Sequence, residues 1–196
     1  MGKVIAQFTM SLDGFIAGPD DDIQRLFKWY RSGDTDFQVP ATDMVFKISR
    51  ASAEVLREEW AAIGAIVTGR RDFDVSGAWG GQPPLGVPHF IVTHNAPQEW
   101  VKAGSPFTFV TDGVESAIRQ AEQAAGDKNV AVGGSKITQQ ALKAGLLDEL
   151  GIDLASILLG DGIRLFDNLD TEPIELERTR VIAAPGVTHL RFRVVK

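Results

Sequence analysis

Short runs of apolar, strand-like residues alternate along this chain with longer runs whose apolar positions recur at helical spacing, and this alternation most restricts its architecture. The strand-like runs are 4–8, 65–68, 90–93, 107–110 and 129–132. The helix-like runs are 52–63, then 114–125, where Val114, Ala117, Ile118 and Ala121 share a face, then a segment opening at Ser135 with Ile137, Ala141 and Leu142. Crossovers of this kind join parallel strands and cover the sheet. The last third differs. Runs 174–183 and 187–195 are strand-like and are joined by Ala184-Pro185-Gly186, which reads as an antiparallel hairpin. The expected class is α/β, with a mixed, mostly parallel sheet between helical layers and a C-terminal antiparallel hairpin.

A chain of 196 residues, 44% hydrophobic, suffices for one core and is short for two, so a single domain over 1–196 is expected. The net charge is −6 and, apart from Arg70-Arg71, the cations are scattered. No basic stripe could track a nucleic-acid backbone, so nucleic acid is not an expected partner. The N-terminus lacks the apolar region and small-residue cleavage site of a signal peptide, and no apolar run reaches membrane-spanning length. A cytoplasmic protein without a membrane partner is expected. The absence of Cys removes disulfides, thiol nucleophiles and Cys-based zinc sites, and His89, His94 and His189 have no ligand spacing. No metal is expected.

Two segments interrupt the alternation. Residues 20–31 place Ile23, Leu26, Phe27 and Tyr30 at helical spacing behind an acidic first turn, and 32–43 follow as a polar stretch. Together, 20–43 read as an inserted lid or arm. Residues 76–88, rich in Gly and Pro around Trp79, read as a long loop, functional or plain.

Chemistry is sought first where strands meet helices. In Val132-Gly133-Gly134-Ser135-Lys136 two glycines separate a strand from a helix, so the backbone can approach an anion at the helix start, with Ser135 suited to the cap and Lys136 adding charge. The alternative is a tight turn. Gly69-Arg70-Arg71 follows the strand ending at Thr68, where the arginine forks match phosphate oxygens, or else form a surface pair at a helix start. Two such sites imply one extended ligand with several phosphates, such as a dinucleotide. No Gly-x-Gly-x-x-Gly follows the first strand, no P-loop order occurs, and no Gly-x-Ser-x-Gly elbow is present. Asp13, in the turn Ser11-Leu12-Asp13-Gly14, could bind a substrate amide or donate a proton, or belong to an ordinary turn. Trp29, Trp60 and Trp79 could stack a heterocycle, and Trp60, at helical spacing from Leu56, reads as core.

Taken together, Ser11-Leu12-Asp13-Gly14, Thr68-Gly69-Arg70-Arg71, Val132-Gly133-Gly134-Ser135 and Leu158-Leu159-Gly160-Asp161-Gly162-Ile163-Arg164-Leu165-Phe166 resemble the dihydrofolate reductase superfamily. The closer branch is the reductase domain of the bifunctional riboflavin-biosynthesis protein RibD. The resemblance implies an eight-stranded mixed sheet that binds NADPH in extended form and transfers hydride to a C=N or C=O carbon of a small heterocyclic or carbonyl substrate. It places Thr68, Gly69, Arg70 and Arg71 near the cofactor phosphates, and Thr93 and His94 near the adenosine ribose and its 2′-phosphate. Val132, Gly133, Gly134, Ser135, Lys136 and Ile137 fall at the pyrophosphate, where the paired glycines commonly include a cis peptide. Ser11, Asp13, Gly14, Trp79 and Gly160 fall on the substrate side, with Asp13 the catalytic candidate, and a homodimer is implied.

The chain departs from the family at three places. Asp72 stands where Thr is usual, a carboxylate close to phosphate that Arg70 and Arg71 would offset or that would turn away to cap its helix. Ser156 stands where Pro is common. Glu54, Glu58 and Glu59 all lie on the helix where folate reductases carry a pterin-binding carboxylate, without an unambiguous match. The zinc deaminase half of the bifunctional enzyme needs Cys ligands this chain lacks. The resemblance therefore implies a stand-alone reductase, and the departures leave a second reading, a nucleotide-binding protein of the same fold without catalysis.

Overall fold

From its amino end the chain lays down β1 (Val4–Ser11), β2 (Phe15–Ala17), β3 (Thr35–Gln38), β4 (Val45–Ile48), α1 (Arg50–Ala61), β5 (Ile63–Gly69) and α2 (Arg70–Val75). It continues through β6 (His89–Val92), β7 (Phe107–Val110), α3 (Val114–Ala125), β8 (Asn129–Val132), α4 (Ser135–Lys143) and β9 (Glu149–Ala155). It ends with β10 (Ile163–Arg164), β11 (Leu176–Ala184) and β12 (Val187–Val194). These elements come from a computed structural model that describes residues 2–167, 169 and 172–196. Among them no helix is long and apolar enough to cross a membrane.

Eight strands form one sheet in the order β11-β12-β9-β1-β8-β5-β6-β7. β1 is parallel to both neighbours, with Ala6 opposite Val132 on one side and Leu150 on the other. β8, β5, β6 and β7 continue in parallel, and the hairpin β11–β12 closes the sheet antiparallel to β9. The expected mixed, mostly parallel sheet is present, and the hairpin turns near the predicted Ala184-Pro185-Gly186.

Strand alternation sends successive side chains to opposite faces. Val4 and Ala6 of β1, Val67 of β5, and Leu150 and Ile152 of β9 pack under α3 and α4, whose Val114, Ala117, Ile118, Ala121, Ile137, Ala141 and Leu142 complete the larger core. On β12, Leu190 and Phe192 join that core, whereas Val187 faces the other way, into Trp29, Phe37, Ile48, Ala53 and Leu56. α1 begins at a true cap, Ser49, whose hydroxyl accepts from Ser52 N at 3.1 Å.

The second face carries a buried polar chain. Ser52 Oγ lies 2.9 Å from His189 Nε2, and His189 Nδ1 lies 2.7 Å from Asp153 Oδ1. Arg191 Nη2 donates to Asp153 at 3.0 Å and pairs with Glu59, which also accepts from Gln7 at 2.5 Å. Burial alone would raise the Asp153 carboxyl, yet His189 and Arg191 outweigh it and hold the group below its ordinary value. The chain staples β12 and β9 to α1.

The interrupting segments differ from expectation. Residues 20–31 form no α-helix: 3-10 turns cover Pro19–Asp21 and Leu26–Arg31, with Asp20 at φ 55° and Asp21 at φ 60°. Leu26 and Trp29 are buried while Ile23 is exposed, so the apolar spacing serves tertiary contacts and not a helix face. The polar stretch contributes β3, which pairs with β4 as an antiparallel hairpin. Phe37, Phe46, Tyr30 and Trp60 pack into one aromatic group, with Tyr30 and Phe46 stacked at 4.1 Å. The 76–88 loop is built of 3-10 turns over Gly77–Gly81 and Pro84–Gly86.

Candidate cofactor and substrate site

β5 and β8 are adjacent, with Val67 opposite Val132, so the turns at Gly69 and at Gly133-Gly134 emerge side by side at the carboxyl edge. Gly133 N donates to Val67 O at 2.8 Å, which pins the second turn to the first strand. A Cβ at Gly133 would lie 2.8 Å from Thr68 Cγ2 and 3.6 Å from Asp72 Oδ2, closer to the methyl than real side chains come. A Cβ at Gly69 would press on Ile137 Cγ1 at 3.2 Å. Glycine at 133 is thus required by the close approach of the two turns. Gly134, at φ 79°, is the N-cap of α4, and no side chain caps it. Ser135 is the first helical residue and not the expected cap, which leaves the first-turn amides open to a ligand. Every peptide bond among the described residues is trans, Gly133–Gly134 included, against the expectation of a cis bond there.

The arginine pair is already engaged. Arg70 Nε donates to both Asp74 oxygens at 2.8 and 2.9 Å, and its Nη1 reaches Asn95 O at 2.9 Å. That contact draws Arg70 to the loop after β6, where Thr93 Oγ1 donates to Asn95 O and His94 is exposed. Arg70, Thr93 and His94 are therefore neighbours. Arg71 instead reaches Asp21, with Nη2 at 2.8 Å from Oδ2. Both pairs are partly solvated, worth about 0–1 kcal/mol, and are exchangeable for a phosphate partner.

Asp72 has neither of the roles expected of it. Its helix is capped by no side chain, and among the described residues the carboxylate makes no hydrogen bond or ion pair. Arg70 and Arg71 turn to Asp74 and Asp21, so they do not offset it. Burial raises the Asp72 carboxyl above its ordinary value.

At the ends of β1 and β9 the structure brings together Ser11, Asp13, Gly14 and Gly160. Ser11 Oγ donates to Asp13 Oδ1 at 2.5 Å and accepts from Phe15 N at 2.9 Å. Asp13 also accepts from Leu159 N at 3.1 Å and Gly160 N at 2.8 Å. The Ser11 hydrogen bond, helped by the two amides, lowers the carboxyl to about 2. An ionised, satisfied carboxylate suits a brace or an acceptor of substrate N–H bonds, and is a poor proton donor. Sequence reasoning missed the flanks of this mouth. Arg164 stacks over Phe15 at 4.5 Å and donates to Asp13 O at 3.3 Å, while Leu12 and Leu158 stand 66% and 67% exposed beside it. Leu12 alone carried a signal, as an isolated apolar residue inside the polar turn Ser11-Leu12-Asp13-Gly14.

Trp79 does not project freely from its loop. Its ring lies 4.6 Å from that of His89 and packs near Phe73 and Phe107. His89 Nε2 lies 2.9 Å from Thr68 Oγ1, and burial lowers the imidazole to about 3, so the ring is neutral. The helix carboxylates are also spoken for: Glu54 pairs with Arg50, Glu58 with Arg180 and Glu59 with Arg191. Ser156 N donates to Gly186 O at 3.2 Å, tying the end of β9 to the C-terminal hairpin. No cluster of three His, Cys, Asp or Glu able to hold a metal occurs among the described residues.

Comparison with known proteins agrees with this geometry. A structure from Shewanella sp. PV-4 named as a riboflavin biosynthesis protein superposes with TM-score 0.75 at 19% identity, over 99% of each chain. RibD of Acinetobacter baumannii gives 0.65 at 17% identity, over all of this chain and 58% of its own. Dihydrofolate reductase from Enterococcus faecalis, complexed with NADP(H) and RAB-propyl, gives 0.61 at 12% identity over 100% and 98%. A search of curated proteins finds no match to this chain. The fold is thus that of dihydrofolate reductase. The family model of the RibD C-terminal domain matches residues 2–190, nearly the whole sequence, and the chain belongs to that family.

Proposed function

We propose that this protein is a stand-alone NADPH-dependent reductase that acts on a small heterocyclic or carbonyl substrate, a reaction of the type that reduces 5-amino-6-(5-phosphoribosylamino)uracil in riboflavin biosynthesis. The observation that carries the reading is the contact between the Gly69 and Gly133-Gly134 turns. It leaves an uncapped helix start beside Arg70, which is held by an exposed ion pair to Asp74 and a hydrogen bond to Asn95 O. The backbone amides of 134–137 would hold the pyrophosphate, and Arg70 with Thr93 and His94 the 2′-phosphate end. When bound, NADPH supplies the hydride. Asp13 orients the substrate by accepting its N–H bonds, the exposed Leu12 and Leu158 flank the mouth, and the proton comes from solvent. The same resemblance supports a homodimer in the cytoplasm, and sedimentation of a monomer alone would overturn the former.

NADPH and NADH are titrated into the protein while nucleotide fluorescence is followed, with NADPH expected to bind more tightly. Binding of neither rejects the reading. Arg70→Ala should weaken NADPH more than NADH, by about tenfold for a lost charged contact. The unpaired Asp72 favours a second reading, nucleotide binding without turnover. Steady NADPH oxidation with any pyrimidine, pterin or dicarbonyl excludes it.

A further inference from the structure

Thr68, next to the end of β5, sends its two γ substituents to different neighbours. Its hydroxyl lies 2.9 Å from His89 Nε2, and its methyl stands 2.8 Å from where a Cβ at Gly133 would be. A β-branched side chain has few χ1 choices, so whatever holds the hydroxyl also decides which group faces Gly133. His89 holds it. The bond to Thr68 is the one hydrogen bond of the imidazole among the described residues, since Nδ1 has no partner, and the residue is 1% exposed. The ring packs against the Trp79 indole at 4.6 Å and the Phe107 ring at 5.9 Å between centroids. Trp79 reaches it along an uncommon backbone. Gly77, Ala78, Trp79, Gly80 and Gly81 follow one another with φ between 48° and 86°. L-residues with a Cβ enter this left-handed region singly and at a cost, so such a turn persists only where its surroundings over-determine it. Here Ala78 is buried with Phe73, Ile91 and Phe107, Trp79 N donates to Ser76 O at 3.1 Å, and Gln82 N donates to Trp79 O at 3.2 Å.

We propose that His89 is a positioning residue for the cofactor: by holding the Thr68 hydroxyl it turns the Thr68 methyl onto Gly133, and so sets how closely the Gly133-Gly134 turn approaches the Gly69 turn. The first-turn amides of α4 follow directly from that turn, so their placement depends on the same contact. The bond from Gly133 N to Val67 O, 2.8 Å long, gauges the spacing. A Thr68 hydroxyl without its partner would be buried and unsatisfied, and the side chain would rotate to find another acceptor or donor, carrying the methyl off Gly133. His89 itself touches no ligand. The consequence for NADPH rests on the reductase reading above; the hold on the glycine turn does not.

The test uses the full chain carrying His89→Leu, with and without Thr68→Val. NADPH affinity is followed by nucleotide fluorescence, and the amides of the ligand-free protein by hydrogen exchange in NMR. His89→Leu should weaken NADPH about tenfold. It should also speed exchange of the Gly133 amide about tenfold, while the β1 amides keep their wild-type protection. Adding Thr68→Val should restore both, because valine carries two γ methyls and presents one to Gly133 without a hydrogen bond to hold it. His89→Gln, which keeps a partner for the hydroxyl, should behave as wild type. Circular dichroism confirms folding. Should His89→Leu not fold, Thr68→Ser, which keeps the hydroxyl and loses the methyl, replaces it and should speed the Gly133 amide in the same way. A folded His89→Leu with wild-type NADPH affinity or wild-type Gly133 exchange overturns the proposal. So does a double variant as impaired as His89→Leu, which would leave His89 a packing role alone, or an unaltered Gly133 amide in Thr68→Ser. If the wild type binds no NADPH, the exchange measurements still decide the hold of His89 on the turn, and only the reductase reading falls.

Discussion

Asp72 is where a single side chain most alters what the family fold does. An unpaired carboxylate beside the Gly133 turn repels a phosphate when ionised, and about one pKa unit of mismatch corresponds to 1.4 kcal/mol, or tenfold in affinity. Asp72→Asn, which keeps the shape and removes the charge, is expected to tighten NADPH about tenfold at neutral pH and to flatten the pH dependence of its Kd. An unchanged Kd would show that the carboxylate faces away from the phosphates. The stability effect has a definite sign. Burial raises the Asp72 carboxyl, so above its ordinary value of 3.8 the native state retains a proton that the unfolded chain has lost. Its contribution is full at low pH and is lost as pH rises through the folded value, and thermal melts of Asp72→Asn should lack that loss. The sequence exposes this carboxylate and its two neighbouring arginines. It does not expose that Asp74 and Asp21 claim those arginines, because one partner is a helical turn away and the other lies 50 positions earlier. Asp13 was similarly readable as a candidate in its polar turn, while its brace to Leu159 and Gly160 required the loop after β9 to be in place.

Among the elements, those whose burial repeats along the chain were legible and those shaped by distant contacts were not. α3 and α4 follow from one apolar face each, since Val114, Ala117, Ile118 and Ala121 recur at helical spacing and are all buried. Residues 20–31 carry comparable spacing, yet Pro19 and two left-handed aspartates break the start, and Trp29 is drawn onto His189 at 5.5 Å. The hairpin β3–β4 escaped notice because β3 buries a single residue, Phe37, and its partner strand lies beyond a turn whose polar residues look like loop. The arm is consequently integral to the second core. Phe46→Ala, which removes the stacked partner of Tyr30, is expected to cost about 2–3 kcal/mol, below the range for fully buried phenylalanine because Phe46 is half-buried. Denaturant melts measure this directly. NADPH affinity should stay within about twofold of wild type, because the hairpin touches neither glycine turn. A tenfold loss would make the arm part of the cofactor site.

The two faces of the molecule respond to acid through different groups, and together they set the pH range in which it stays folded. On the second face, Asp153 is held below its ordinary value against the cost of its burial by His189 and Arg191, so its contribution is present at neutral pH and lost as pH falls below 3.8. Asp13, lowered to about 2 by Ser11 and the Leu159 and Gly160 amides, acts in the same direction and window. His89 acts earlier. Burial lowers its imidazole to about 3, so between its ordinary value of 6.5 and 3 the unfolded chain takes up a proton that the native state refuses. Stability therefore falls with pH by up to about 1.4 kcal/mol per unit across that window, before any of these aspartates contributes. Asp72 opposes the trend, and its gain comes as pH falls. The expected melting profile is flat near neutrality and declines steadily below about pH 6, with a steeper limb where the aspartates protonate. His89→Gln, which can still bond Thr68, should remove the shallow part of the decline and leave the steep part. The steep part reports Asp153 and Asp13, which fix the sheet edge and the β1–β9 mouth rather than the ring beneath Thr68. If the mutant's profile bends at the same pH as wild type, His89 is not the group that sets the upper limit, and the neutral ring under the glycine turns carries no acid sensitivity.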